Sequence, residues 1–112
     1  MTEICFFENA DHKLTGFKST GHAGYRKWGP DIVCAGISVL TTNTVNSLEE
    51  IAKADMDIIR DPKGPVFSMT LRSQPDSNTE TLLRSMFLGI QGISAEYGSR
   101  FCKVTIKEEV KC

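Results

Sequence analysis

The 112-residue chain has no apolar run approaching the roughly 18 residues that a membrane-spanning helix needs. Its start, Met1-Thr2-Glu3-Ile4-Cys5, lacks the positive residues and apolar core of a secretory leader. These two absences predict a cytoplasmic protein with no membrane partner. No Lys/Arg run stands out, and the net charge of -1 argues against direct nucleic-acid binding, which normally draws on a basic surplus. The four cysteines, Cys5, Cys34, Cys102 and Cys112, form no CxxC pair. Neither a zinc site nor a thioredoxin-type motif is therefore indicated, no metal or cofactor is expected, and free thiols are the default in a reducing compartment. Internal repeats and linker-like stretches are also missing, so residues 1–112 are expected to form one domain.

What is present is an alternation of short strand patterns with two long helical ones. Thr2 to Glu8, with Ile4, Cys5, Phe6 and Phe7, reads as a buried strand, and His12 to Ser19 as its hairpin partner. A loop from Thr20 to Pro30 carries Gly21, Gly24 and Gly29. Pro30 or Asp31 starts a helix that runs to about Ile51, with Asp31 suited to the cap. Val33, Ile37, Leu40, Thr44 and Leu48 share one face of it, widened by Ile32, Gly36 and Val39 and extended by Val45. Ala54 to Ile59 and Phe67 to Arg72 alternate as a second strand pair around the turn Asp61-Pro62-Lys63-Gly64. Ser77-Asn78-Thr79-Glu80 resembles a capping box for a second helix, which Gly98 closes, and Phe101 to Lys107 forms the last strand. The order ββαββαβ predicts an α+β domain with two helices packed on a largely antiparallel sheet.

The chemistry concentrates in Gly21-His22-Ala23-Gly24 and in Cys34, twelve residues after His22. A thiol is a weak nucleophile until it loses its proton, and a helix N-terminus or a neighbouring imidazole assists that loss. Cys34 falls in the first turn of the expected helix, near amides that lack intrahelical partners. Those amides are also placed to stabilise the oxyanion of an acyl-transfer intermediate. His22 is the candidate base that takes the thiol proton and later returns it to the leaving amine. Asp31 either caps the helix or orients the imidazole. Against this stands the plain alternative that Cys34 is a small buried hydrophobe. His12 beside its turn reads as solvated, Cys5 and Cys102 as core thiols, and Glu49, Glu50, Asp55 and Asp57 as a solvated acidic face able to steer a basic substrate.

The stretch Gly21-His22-Ala23-Gly24-Tyr25, then Gly29, Asp31-Ile32-Val33-Cys34-Ala35 and Ser38, resembles the signature of the bacterial ribosomal-processing cysteine proteases. Chain length and element order are similar as well. The resemblance implies a cysteine endopeptidase that removes a short N-terminal extension from the precursor of large-subunit ribosomal protein twenty-seven. It maps the catalytic histidine onto His22 and the nucleophile onto Cys34. It also implies a homodimer, with the histidine-bearing loop covering the thiol. Gly36 departs from the more usual alanine, and Arg26-Lys27-Trp28-Gly29-Pro30 is a loop variant.

Three rivals are weighed at this level: a cysteine phosphatase, an acyltransferase, which shares the dyad and differs only in its acceptor, and a non-catalytic binding module. A cysteine phosphatase needs an arginine six residues after the thiol to hold phosphate, and Leu40 stands there. A non-catalytic module that binds a ribosomal protein or an assembly factor would tolerate loss of the Cys34 thiol.

Overall fold

Seven elements follow one another in the computed structural model, which describes residues 2–21, 30–60 and 66–109. They are β1 (Thr2–Glu8), β2 (Leu14–Thr20), α1 (Pro30–Glu50), β3 (Met56–Arg60), β4 (Phe67–Leu71), α2 (Ser77–Tyr97) and β5 (Cys102–Glu108). The expected order is borne out. The strands form one sheet in the order β3-β4-β2-β1-β5. Every neighbouring pair is antiparallel except β1 and β5, which run parallel because α2 carries the chain back across the sheet.

Period-two alternation decides which face is buried. One row crosses the whole sheet: Ile58 beside Met69, then Phe17, Phe6 and Ile106. The three central members are 0% exposed, whereas Ile58 and Ile106 at the two edges are 39% and 36% exposed. The core therefore sits under the middle strands, where Val33, Ile37 and Leu48 of α1 and Leu83, Met86 and Ile90 of α2 close over it. Both helices lie on this one face. Cys5, which alternates with buried Ile4 and Phe6, belongs to the opposite face and is half-buried, so it is not the core thiol expected from its apolar neighbours.

α2 packs over β5 and β2, which leaves the β4–β3 half of the sheet to α1. The helices meet where side chains are small: a Cβ on Gly36 would approach Ile93 Cδ1 to 3.2 Å, and one on Gly89 would approach Leu40 Cδ1 to 3.0 Å. Ile32 and Val39, expected to widen the buried stripe of α1, are instead 57% and 66% exposed. They lie opposite the sheet, and one helix face suffices to cover it. Thr41 and Thr44, poor helix formers, are buried within α1. The Thr41 hydroxyl donates to the carbonyls of Ile37 and Ser38 at 2.9 and 3.1 Å, so its burial costs no unpaired donor.

The capping box of α2 is shifted by one residue from the expected one. Asp76 is the cap and Thr79 its reciprocal partner: the Asp76 carboxylate accepts from the Thr79 amide at 2.8 Å, and the Thr79 hydroxyl accepts from the Asp76 amide at 3.0 Å. That shift frees Glu80. Its carboxylate accepts from the Leu14 amide at 2.6 Å and from Arg84 Nη2 at 2.9 Å, tying the first hairpin to α2. Leu14 is fully buried. Replacing Glu80 with Ala orphans its amide, and the expected cost is about 2 kcal/mol, read as a fall in the urea midpoint at unchanged slope.

Candidate active site

Three pieces of local geometry bring Cys34 to one end of the sheet. β2 ends at Thr20 and β4 begins at Phe67, paired with Ser19, so the chain leaves β2 at the same end from which β4 starts. α1 ends at the opposite side, where the Ala54 amide donates to the Leu48 carbonyl at 2.9 Å just before β3 begins. The long axis of α1 therefore returns its N-terminus to the end where β2 released the chain.

Cys34 is the fifth residue of α1 rather than the third, because the helix already begins at Pro30 and takes Asp31 into its first turn. Proline suits that first position, where its missing N–H costs no bond. Asp31, expected as the cap, is thus a residue of the first turn. The shift does not remove the thiol from the helix start. Side chains tilt toward the N-terminus of a helix, so Cys34 covers the first turn and its unpaired amides. It is half-buried, a free thiol with partial access to solvent. Ser38, one turn further on, is exposed.

His22, like Tyr25 and Trp28, lies outside the described residues. Gly21 is described, and it turns the chain out of β2 at φ 76° directly ahead of His22. An L side chain is strained there by about 1–2 kcal/mol. Gly21→Ala is expected to redirect the histidine-bearing segment and to lower kcat/KM by about tenfold or more, while thermal unfolding shifts only modestly.

The other expected residues divide clearly. His12 is a solvated turn residue, with Nδ1 3.3 Å from Glu8 Oε1. Cys112 lies outside the described residues. Cys102 is fully buried, and that burial pushes its thiol pKa up. Iodoacetamide near neutral pH is expected to label Cys34 while leaving Cys102 unmodified in the folded protein, as peptide mapping would show. The acidic face is partly neutralised: Arg72 reaches Asp57 at 2.6 Å and Asp55 at 2.7 Å. Its hydrogen bonds to the Asp57 and Asp55 carboxylates hold its guanidinium pKa above the usual arginine value. Apolar residues that periodicity assigned to a strand and no more, Ile58 and Phe67, also stand at or near this edge of the sheet, and no sequence motif marked them. Among the described residues no cluster of metal-ligating side chains occurs, and no helix is long and apolar enough to cross a membrane.

A thiol at the start of a long helix, laid over one end of a five-stranded sheet, is an arrangement suited to nucleophilic acyl transfer, and the comparisons with known proteins agree. The family model described as Cysteine protease Prp matches residues 1–102. The ribosomal processing cysteine protease Prp of Staphylococcus aureus is 30% identical over 89 residues, covering 80% of this chain and 84% of that protein. Its Bacillus subtilis counterpart is 26% identical over 101 residues, covering 87% and 90%. Two crystal structures of the S. aureus protease superpose closely. The complex with a covalently linked product peptide gives a TM-score of 0.86 at 27% identity, and the complex with a substrate peptide 0.87 at 26%. Each covers 96% of this chain and 100% of the other. The protein is a cysteine protease. It belongs to the ribosomal processing cysteine protease Prp family.

Proposed function

We propose that this protease removes the N-terminal extension of the large-subunit ribosomal protein twenty-seven precursor in the cytoplasm, using Cys34 as nucleophile and His22 as base. The observation that carries the reading is the placement of Cys34: a half-buried thiol over the first turn of α1, at the end of the sheet where Gly21 directs the chain into His22. In the proposed cycle His22 takes the thiol proton and Cys34 Sγ attacks the scissile carbonyl. The carbon–nitrogen bond breaks, and the amine leaves with the proton that His22 returns. Water then hydrolyses the thioester and restores the thiol. Amides of the first turn of α1 are the nearest donors for the oxyanion.

A homodimer accompanies this reading. Its support on the chain is the outward face of α1, where Ile32, Ala35, Val39, Thr42 and Asn46 recur at the three-and-four spacing of a helix seam. No charged residue occurs from Ile32 to Leu48, so two copies of this face meet without like-charge repulsion.

The test is incubation of the purified, reduced protein with the full-length precursor, followed by intact mass of both. Loss of a single N-terminal fragment from the precursor supports the reading. An unchanged precursor mass with folded protein overturns it.

A further inference from the structure

We propose that a recess at the end of the sheet remote from Cys34, walled by Glu8, Glu108 and Glu109, is an exosite for a Lys- or Arg-bearing segment of the precursor that follows the processed bond. The proposal rests on the protease–precursor reading above and adds a second place where the precursor is held.

Strand direction fixes the location. β1 runs antiparallel to β2 and parallel to β5, so Glu8 and Glu108 close the sheet at the end opposite to Thr20. The recess there has a volume of about 280 Å³ and is lined by Glu8, Asn9, Ala10, Glu108 and Glu109. Cys34 stands at the other end, on the helix that covers the β4–β3 half. The two places are separated by roughly 20 Å along the strands and roughly 15 Å across them. The direct span is thus about 25 Å, which needs at least about eight extended residues. The recess is no part of the site at the thiol.

The chemistry of the recess calls for two things at once. Glu8 and Glu108 are register partners, so their carboxylates emerge side by side on one face. Like charges so placed destabilise a sheet. His12 Nδ1 lies 3.3 Å from Glu8 Oε1, but among the described residues no Lys or Arg pairs with Glu8, Glu108 or Glu109. The carboxylates therefore call for a cation. Asn9 calls for an acceptor. It is only 8% exposed, and its Oδ1 accepts from the amides of Asp11 and Lys13 at 2.9 and 3.1 Å. Two backbone donors on one atom fix the orientation of the amide. Nδ2 is left to face the recess, with no acceptor among the described residues. A peptide bearing Lys or Arg brings both a cation and a backbone carbonyl, whereas a bare metal ion brings no acceptor for Nδ2. β5 is the outermost strand on this side, so an extended segment can lie along its free edge.

The wider charge distribution favours the same guest. Glu49 and Glu50 finish α1 at this end of the sheet. Arg60, Arg100 and Lys103 stand instead at the end where Cys34 lies. A basic segment is thus drawn to the remote end and repelled from the near one. A ribosomal protein must neutralise RNA phosphates and is rich in Lys and Arg, which makes the precursor itself the source of the segment.

The test compares the double variant Glu108→Gln, Glu109→Gln with the wild type on two substrates. One is the full-length precursor. The other is a synthetic peptide that spans the processed bond and stops about four residues beyond it, too short to reach the recess. For the precursor, KM is expected to rise about fivefold in the double variant with kcat unchanged. For the peptide, both constants stay at their wild-type values. In the wild type, oligolysine competes with the precursor and not with the peptide, and added salt shrinks the advantage of the precursor. Glu49→Gln, Glu50→Gln, at the same end but off the recess, stays within about twofold of wild type. Circular dichroism confirms the fold of each variant. An unchanged KM for the precursor in Glu108→Gln, Glu109→Gln, an equal rise on the short peptide, or an equal rise in Glu49→Gln, Glu50→Gln overturns the proposal. Wild-type protein that leaves both substrates intact overturns the protease–precursor reading instead.

Discussion

Cys34→Ala is expected to abolish cleavage of the precursor, with a rate loss of at least about 10⁴-fold, because the thioester forms on the Cys34 sulfur. The fold should survive. Cys34 is only half-buried, and trading its sulfur for a methyl group is expected to cost less than about 1 kcal/mol. His22→Ala retains the thiol and loses the proton carrier, so a smaller loss of about 10²–10⁴-fold is expected. The double variant should fall no further than Cys34→Ala, since a base without its nucleophile contributes nothing. Single-turnover cleavage followed by intact mass, alongside a thermal melt of each variant, separates loss of chemistry from loss of fold. A non-catalytic binding module would show neither the rate loss nor its non-additivity.

Gly16→Ala is expected to destabilise the sheet severely. Gly16 sits within β2, opposite Thr70 of β4 and Phe7 of β1. A Cβ there would overlap the Met69 carbonyl oxygen and lie 3.0 Å from Thr70 Cα. Both are backbone atoms of the paired strand, so neither can rotate aside as a side chain would. β2 and β4 would have to separate at the centre of the sheet, directly above the fully buried Phe17 and Met69. The expected cost is about 3 kcal/mol or more, measured by urea unfolding. Because Phe17 and Phe67 are in edge contact, the strain should also reach the end of the sheet where Cys34 works.

Period and punctuation made the architecture legible. Alternation located five strands, Pro30 and Gly98 bounded the two helices, and the order ββαββαβ followed. What periodicity could not supply was the third dimension. A wide apolar stripe on α1 looked entirely buried, yet Ile32 and Val39 face outward, because the width of a stripe does not say how much of it a sheet will cover. The cap of α2 slipped from Ser77 to Asp76 because both residues are good caps, and the choice turned on the reach of Glu80 to Leu14, 66 positions away in sequence. Nothing in the sequence marks Gly16, since its crowding comes from the backbone of β4 set beside it.

The site was legible to the same degree. The neighbourhood of Cys34 could be read locally, since a proline and an aspartate announce a helix start, although Asp31 lies inside the first turn and not at the cap. His22 could be assigned a role only by its chemistry and by family resemblance. The meeting of Arg60 with Phe67 and of Ile58 with Met69 was invisible, because these residues belong to two strands whose pairing exists only in the fold.

The most direct test of the account is an acid quench of the wild-type protein early in turnover of the precursor, followed by peptide mapping. The account predicts that the peptide containing Cys34 gains the mass of the released N-terminal fragment less one water, and that the adduct is lost on treatment with hydroxylamine, as a thioester is. Undiminished cleavage of the precursor by Cys34→Ala, with no adduct on Cys34 in the wild type, would contradict it.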